Sequence, residues 1–131
     1  MKKVDIINET IKFYSKDPSR RSTKAKKCLY KGPNDKRCAF GRCMTEEALK
    51  LIDEKTNGQL LSFLIDTLSY NSDDIKELDD IVQDKYKGHD IEFWKDLQLL
   101  HDDELNWNTD ENKGLSMVGK REAKELITEY S

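Results

Sequence analysis

The chain has 131 residues, with 36% hydrophobic side chains, 37% charged ones and a formal net charge of −3. That length suits one domain, and a charged share well above the usual quarter implies a thin core under a heavily charged surface. No run approaches the roughly 18 apolar residues of a spanning helix, and Met1-Lys2-Lys3 leads into a polar amphipathic segment instead of a signal sequence, so no membrane partner is expected.

Val4, Ile7, Ile11 and Tyr14 recur at helical spacing, which predicts a first helix over 3–15, stopped at Asp17-Pro18 because the residue before proline avoids the α region. Residues 19–27 have too few apolar side chains to pack a face and read as a basic loop. Cys28-Leu29-Tyr30 and Arg37-Cys38-Ala39-Phe40 flank the turn formers Gly32-Pro33-Asn34-Asp35, the pattern of an antiparallel hairpin near 28–40 that must lie against helices. Thr45 is suited to cap a second helix over about 46–56, with Glu46 and Glu47 at its positive end. Leu60, Leu61, Phe63, Leu64, Ile65 and Leu68 predict a third helix at the centre of the core.

Ser72 can cap a fourth helix bearing Ile75, Leu78, Ile81 and Val82 and closing at Gly88. A fifth helix from Asp90 to about His101 would bury Ile91, Trp94, Leu97 and Leu100. Residues 102–114 read as a polar loop around Trp107. Ser116 then caps a last helix carrying Val118, Ala123, Leu126, Ile127 and Tyr130. With no fixed-period repeat and no dividing linker, the expectation is one domain over 1–131, of predominantly helical α+β class with five or six helices and one short hairpin.

Charge is unevenly placed. Residues 17–43 carry nine Lys or Arg against Asp17 and Asp35, whereas residues 44–131 carry ten basic against 22 acidic side chains. Either the basic block meets an external anion or it folds back on the acidic helices. An acidic body repels a long phosphate backbone except at one patch, which favours a small anion over extended duplex, with nucleic acid left as a further candidate.

The cysteines are spaced C-x9-C-x4-C, without the close pair that opens a structural zinc knuckle, so buried reduced thiols are expected more than a metal site with His89 or His101. A thiol of Cys38 or Cys43 beside His101, with Asp102 as orienter, would make a small cysteine-dependent enzyme, although adjacent side chains on a helix point apart. The acidic stretch from Asn106 has Glu111 where a calcium loop requires glycine and Met117 in place of its last glutamate. No phosphate-loop, dinucleotide, zincin or nucleophile-elbow string occurs, so neither cofactor nor catalytic residue is assigned.

There remain forked guanidinium donors and aromatic faces, which together suit a nucleotide-like anion: Arg20, Arg21, Tyr30, Arg42, His101, Asp102 and Trp107. The competing expectation is that the arginines bond carboxylates such as Asp17 and Asp102 and that Trp107 plugs its loop onto the core.

DPSRRS at 17–22, C-x-Y at 28–30, R-C-A-F-G-R-C at 37–43, L-H-D-D with N-W over 99–107 and G-L-S at 114–116 resemble the motifs of a family of small, largely uncharacterised bacteriophage and prophage proteins. The resemblance implies action in a host bacterial cytoplasm and brings no activity with it. The expectation that follows is a non-enzymatic phage accessory protein binding a phosphate-bearing nucleotide or a host defence protein. A protein- or nucleic-acid-binding module working through the basic 19–42 segment is the alternative.

Overall fold

The computed structural model describes residues 1–16, 23–24, 27–28, 39–48, 74–108 and 114–131. The predicted turn at 32–35, the end of the second helix, the third helix at 60–68 and the Ser72 cap lie outside the described residues. What is described is predominantly helical α+β, as the sequence leads one to expect.

Helix α1, Lys3–Lys16, buries Ile7 and Tyr14 from the predicted stripe and adds Ile6 and Thr10, so its packed face is broader than a single row. Thr10 Oγ1 donates to Ile6 O at 2.8 Å, which spares the buried hydroxyl an unmet hydrogen bond. Strands β1, Thr23–Lys24, and β2, Lys27–Cys28, pair antiparallel, with Thr23 opposite Cys28. Thr23, Lys24 and Lys27 of this short hairpin fall in the predicted basic loop, and Cys28 in the predicted first strand.

Ala39 and Phe40, expected in the second hairpin strand, instead begin helix α2, Ala39–Cys43. Helical spacing puts Ala39, Phe40 and Cys43 on one buried face, and strand alternation would expose part of that set. The Phe40 ring meets Trp94 edge to face at 5.1 Å. Its N–H donates to Gln98 Oε1 at 3.1 Å.

Thr45 caps as expected, its Oγ1 accepting from Ala48 N at 3.2 Å at the start of the helical turn 46–48. Helix α3, Asp74–Asp79, ends well before Gly88. The reason is a competing set of backbone bonds: Thr45 N donates to Ile81 O at 3.0 Å and Gln83 N to Cys43 O at 2.9 Å, bridging Met44 to Val82. A 3-10 turn follows at Asp84–Tyr86. Gly88 does take the left-handed conformation, with φ at 94°, and its N–H donates to Asp79 Oδ1.

Helix α4, Ile91–Asp102, starts from the Asp90 cap, whose carboxylate accepts from Phe93 N, and buries the four predicted residues together with Phe93, Gln98 and His101. The predicted loop beyond it is structured at both ends: a 3-10 turn at Glu104–Asn106, then strands β3, Trp107–Asn108, and β4, Gly114–Leu115, paired antiparallel. Helix α5, Met117–Tyr130, is capped by Ser116, which accepts from Gly119 N and donates to Leu105 O. Ala123 is buried and Leu126, Ile127 and Tyr130 pack on the core, but Val118 is 44% exposed.

The core joins Ile6, Ile7, Phe40, Met44, Leu78, Val82, Phe93, Trp94 and Leu97. Each such side chain contributes about 1.5–3 kcal/mol by leaving water. Against this core α5 is seated closely at one point, where a Cβ on Gly119 would lie 2.0 Å from Asn106 O. Gly119→Ala must therefore push α5 away from the 3-10 turn. A loss of about 2–3 kcal/mol is expected, read as a drop of several degrees in thermal midpoint, and an unchanged midpoint would contradict this packing.

Candidate functional site

Arg42 is carried inward by α2 and meets α1. Its Nη1 lies 2.8 Å from Glu9 Oε1 and 3.2 Å from the Tyr86 hydroxyl, and its Nη2 donates to Thr10 Oγ1 at 3.0 Å. The Tyr86 hydroxyl donates to the same Glu9 oxygen. Phe13 and Tyr86 flank the guanidinium, with ring centroids 5.3 and 5.7 Å from its carbon.

Burial disfavours charge on both partners, yet the bonds from Tyr86 and Arg42 hold the Glu9 carboxyl below its ordinary 4.5. The Tyr86 phenol is pushed up, by burial first and then by its bond to Glu9. The carboxylate that neutralises Arg42 is thus Glu9; Asp102 bonds His101 and Gln98 instead, and Asp17 lies outside the described residues.

A second polar set lies on α4. His101 is fully buried, with Nδ1 3.0 Å from Asp102 Oδ1, so these neighbours do meet despite the divergence expected of adjacent helical side chains. Gln98 Nε2 donates to the same carboxylate at 2.6 Å while Gln98 Oε1 accepts from Phe40. Tyr14 packs edge-on against His101 at 4.8 Å and against Trp107 at 6.1 Å. Trp107 is buried, and its Nε1 and the Asn106 Nδ2 both donate to Leu100 O at 3.1 Å. Leu100 O lies in the last turn of α4, where carbonyls lack helical partners, so these donors complete the helix end.

Of the residues expected to converge, the structure brings His101 and Trp107 together around Tyr14, places Asp102 on His101, and sets Arg42 among Glu9, Thr10 and Tyr86. Arg20, Arg21 and Tyr30 lie outside the described residues. Cys43 and His101 are both fully buried.

An open surface lies elsewhere. A groove of about 510 Å³ runs between α4 and α5, lined by Leu99, Leu100, Asn106 and Leu126 and by six carboxylates. Asp96 Oδ2 accepts from the Tyr130 hydroxyl at 2.6 Å and Asp103 Oδ1 from Leu105 N at 2.9 Å. Glu122, Glu125 and Glu129 are exposed, and none of the ion pairs among the described residues involves them. Their spacing of i, i+3 and i+7 was the available sequence signal, since it places all three on one helical face. Glu9, Tyr86 and Gln98 carry no such signal.

Among the described residues no group of three or more His, Cys, Asp or Glu is arranged to hold a metal ion, and no helix is long and apolar enough to cross a membrane. Compared with protein-family models, curated proteins and solved structures, the chain matches none.

Buried His89 and half-buried Glu9 generate an acid response. Desolvation pushes His89 below its ordinary 6.5; its Nε2 lies 2.8 Å from Met1 O, and Nδ1 has no hydrogen-bond partner among the described residues. Below pH 6.5 the unfolded chain takes up that proton first, so stability that is complete above 6.5 falls as pH drops. Glu9, with a depressed pKa, contributes stability above 4.5 that disappears as pH falls through its folded value.

Urea midpoints measured against pH should show His89→Gln flattening the loss just below 6.5. Glu9→Gln should cost about 2 kcal/mol at neutral pH and shrink the loss below 4.5. Profiles parallel to the parent chain would contradict both assignments.

Proposed function

We propose that this chain is a non-enzymatic phage accessory protein that acts in the host bacterium by binding a host defence component, and that the component is a protein. One observation carries the choice: Arg42 is neutralised inside the fold by Glu9, while the open groove between α4 and α5 is walled by carboxylates. A phosphate entering that groove would meet like charge, whereas a basic protein face is complementary to it.

Burial of Cys43 and His101 counts against thiol catalysis by that pair, since a nucleophile must reach its substrate; Cys38, the other candidate thiol, lies outside the described residues. The phage origin is supported by the motif blocks from DPSRRS to G-L-S. Capture of a nucleotide by Arg20, Arg21 and Tyr30 is the second reading, favoured by the basic balance of residues 17–43.

Mass spectrometry of material released from the purified protein, with calorimetry against cyclic and ADP-ribose-type nucleotides, separates the two. The expected result is no nucleotide, together with saturable capture of one host protein that weakens as salt rises. Stoichiometric nucleotide release or nucleotide binding heat would contradict the protein-partner reading.

A further inference from the structure

Resting on the reading of this chain as a binding protein, we propose that the groove between α4 and α5 is the docking site for a short basic segment of the partner. Lysine or arginine side chains of that segment pair with Glu122, Glu125 and Glu129, and an apolar side chain covers Leu99. Three features of the groove lead there.

The first is the length of the acidic row. Glu122 to Glu129 spans about 10 Å along α5, which matches about three residues of extended chain and exceeds the reach of one small cation.

The second is the floor. Leu99 is 58% exposed between the carboxylates of Asp96 and Asp103, and partly buried Leu126 faces it from α5. An apolar strip rimmed by one sign of charge is the complement of a segment mixing cationic and aliphatic side chains.

The third is Asn106. It lines the groove and is 3% exposed, its Nδ2 is used on Leu100 O, and its Oδ1 has no hydrogen-bond partner among the described residues. A buried acceptor without a donor costs free energy, and because Oδ1 is closed to solvent a docked N–H recovers it only by opening the groove wall locally. An acidic row, an apolar strip and an unmet acceptor on one groove all call for the same occupant.

Fluorescence anisotropy with a labelled Lys/Leu peptide as probe, and a Glu/Leu peptide of equal length as comparison, tests the site on the full chain. The Lys/Leu probe should bind and the Glu/Leu peptide should not. Glu122→Gln/Glu125→Gln/Glu129→Gln should weaken the probe about tenfold, whereas Asp5→Asn/Asp80→Asn/Glu92→Gln, the same change in net charge on exposed residues elsewhere, should have a much smaller effect. Leu99→Ser should weaken it as well. All these side chains are exposed, so the fold is not at stake.

Equal weakening by both triple variants, binding of the acidic peptide, or failure to bind the basic one would overturn the proposal. So would a dimer in sedimentation that only the groove variant dissolves, since the occupant would then be a second copy. If a captured host protein binds the groove variant undiminished, the docking site is wrong and the binding reading stands. If no host protein is captured, the binding reading fails, and the peptide series still decides the groove.

Discussion

A guanidinium keeps its proton at every physiological pH, so wherever the chain buries one it must also bury the means to neutralise it. Arg42 sets that requirement here. Glu9 and Thr10 on α1 and the Tyr86 hydroxyl from the 3-10 turn converge on it, which ties two separate stretches of chain to α2. The bridge between Met44 and Val82 lies between Arg42 and Tyr86 in the chain, so the backbone bonds that end α3 early also deliver the phenol to the ion pair. Packing of Phe40 on Trp94 and bonding of its N–H to Gln98 hold the other end of the same short helix.

The consequence for function is a division of charge. The described arginine of the basic block is committed to structure, and surplus acidity is left on α5 and the end of α4. Leu100 O, bonded by both Asn106 and Trp107, fixes the 3-10 turn beyond α4, and the close approach of Gly119 to Asn106 seats α5 against that turn. The width and lining of the groove therefore follow from how one helix end is completed. Charge and shape together favour a basic protein segment as its occupant.

Helical periodicity and capping chemistry carried most of what was legible in the sequence. The Ile7 and Tyr14 positions of the α1 stripe, the Thr45 and Ser116 caps and the burial of Ile91, Trp94, Leu97 and Leu100 are local properties of spacing and side-chain oxygen, and they are found as expected. Ala39 and Phe40 misled because two apolar residues in a row fit strand or helix equally, and only the tertiary contacts to Trp94 and Gln98 decide. The helix expected to reach Gly88 ended early for a similar reason, a pairing between residues far apart in sequence. The sequence singles out Arg42 but not its partner: Glu9 looks like an ordinary surface glutamate until α2 is placed beside α1. Arg20, Arg21 and Tyr30 belong to that expected set but lie outside the described residues.

The central claim is that Arg42 is held by Glu9 as a structural pair. A double-mutant cycle combining Arg42→Met with Glu9→Gln, followed by urea unfolding, measures that coupling directly. The account predicts a coupling of about 1–3 kcal/mol, with the double variant more stable than the two single losses added together. Additive losses, with no coupling, would contradict it and return Arg42 to the pool of groups available for an external anion.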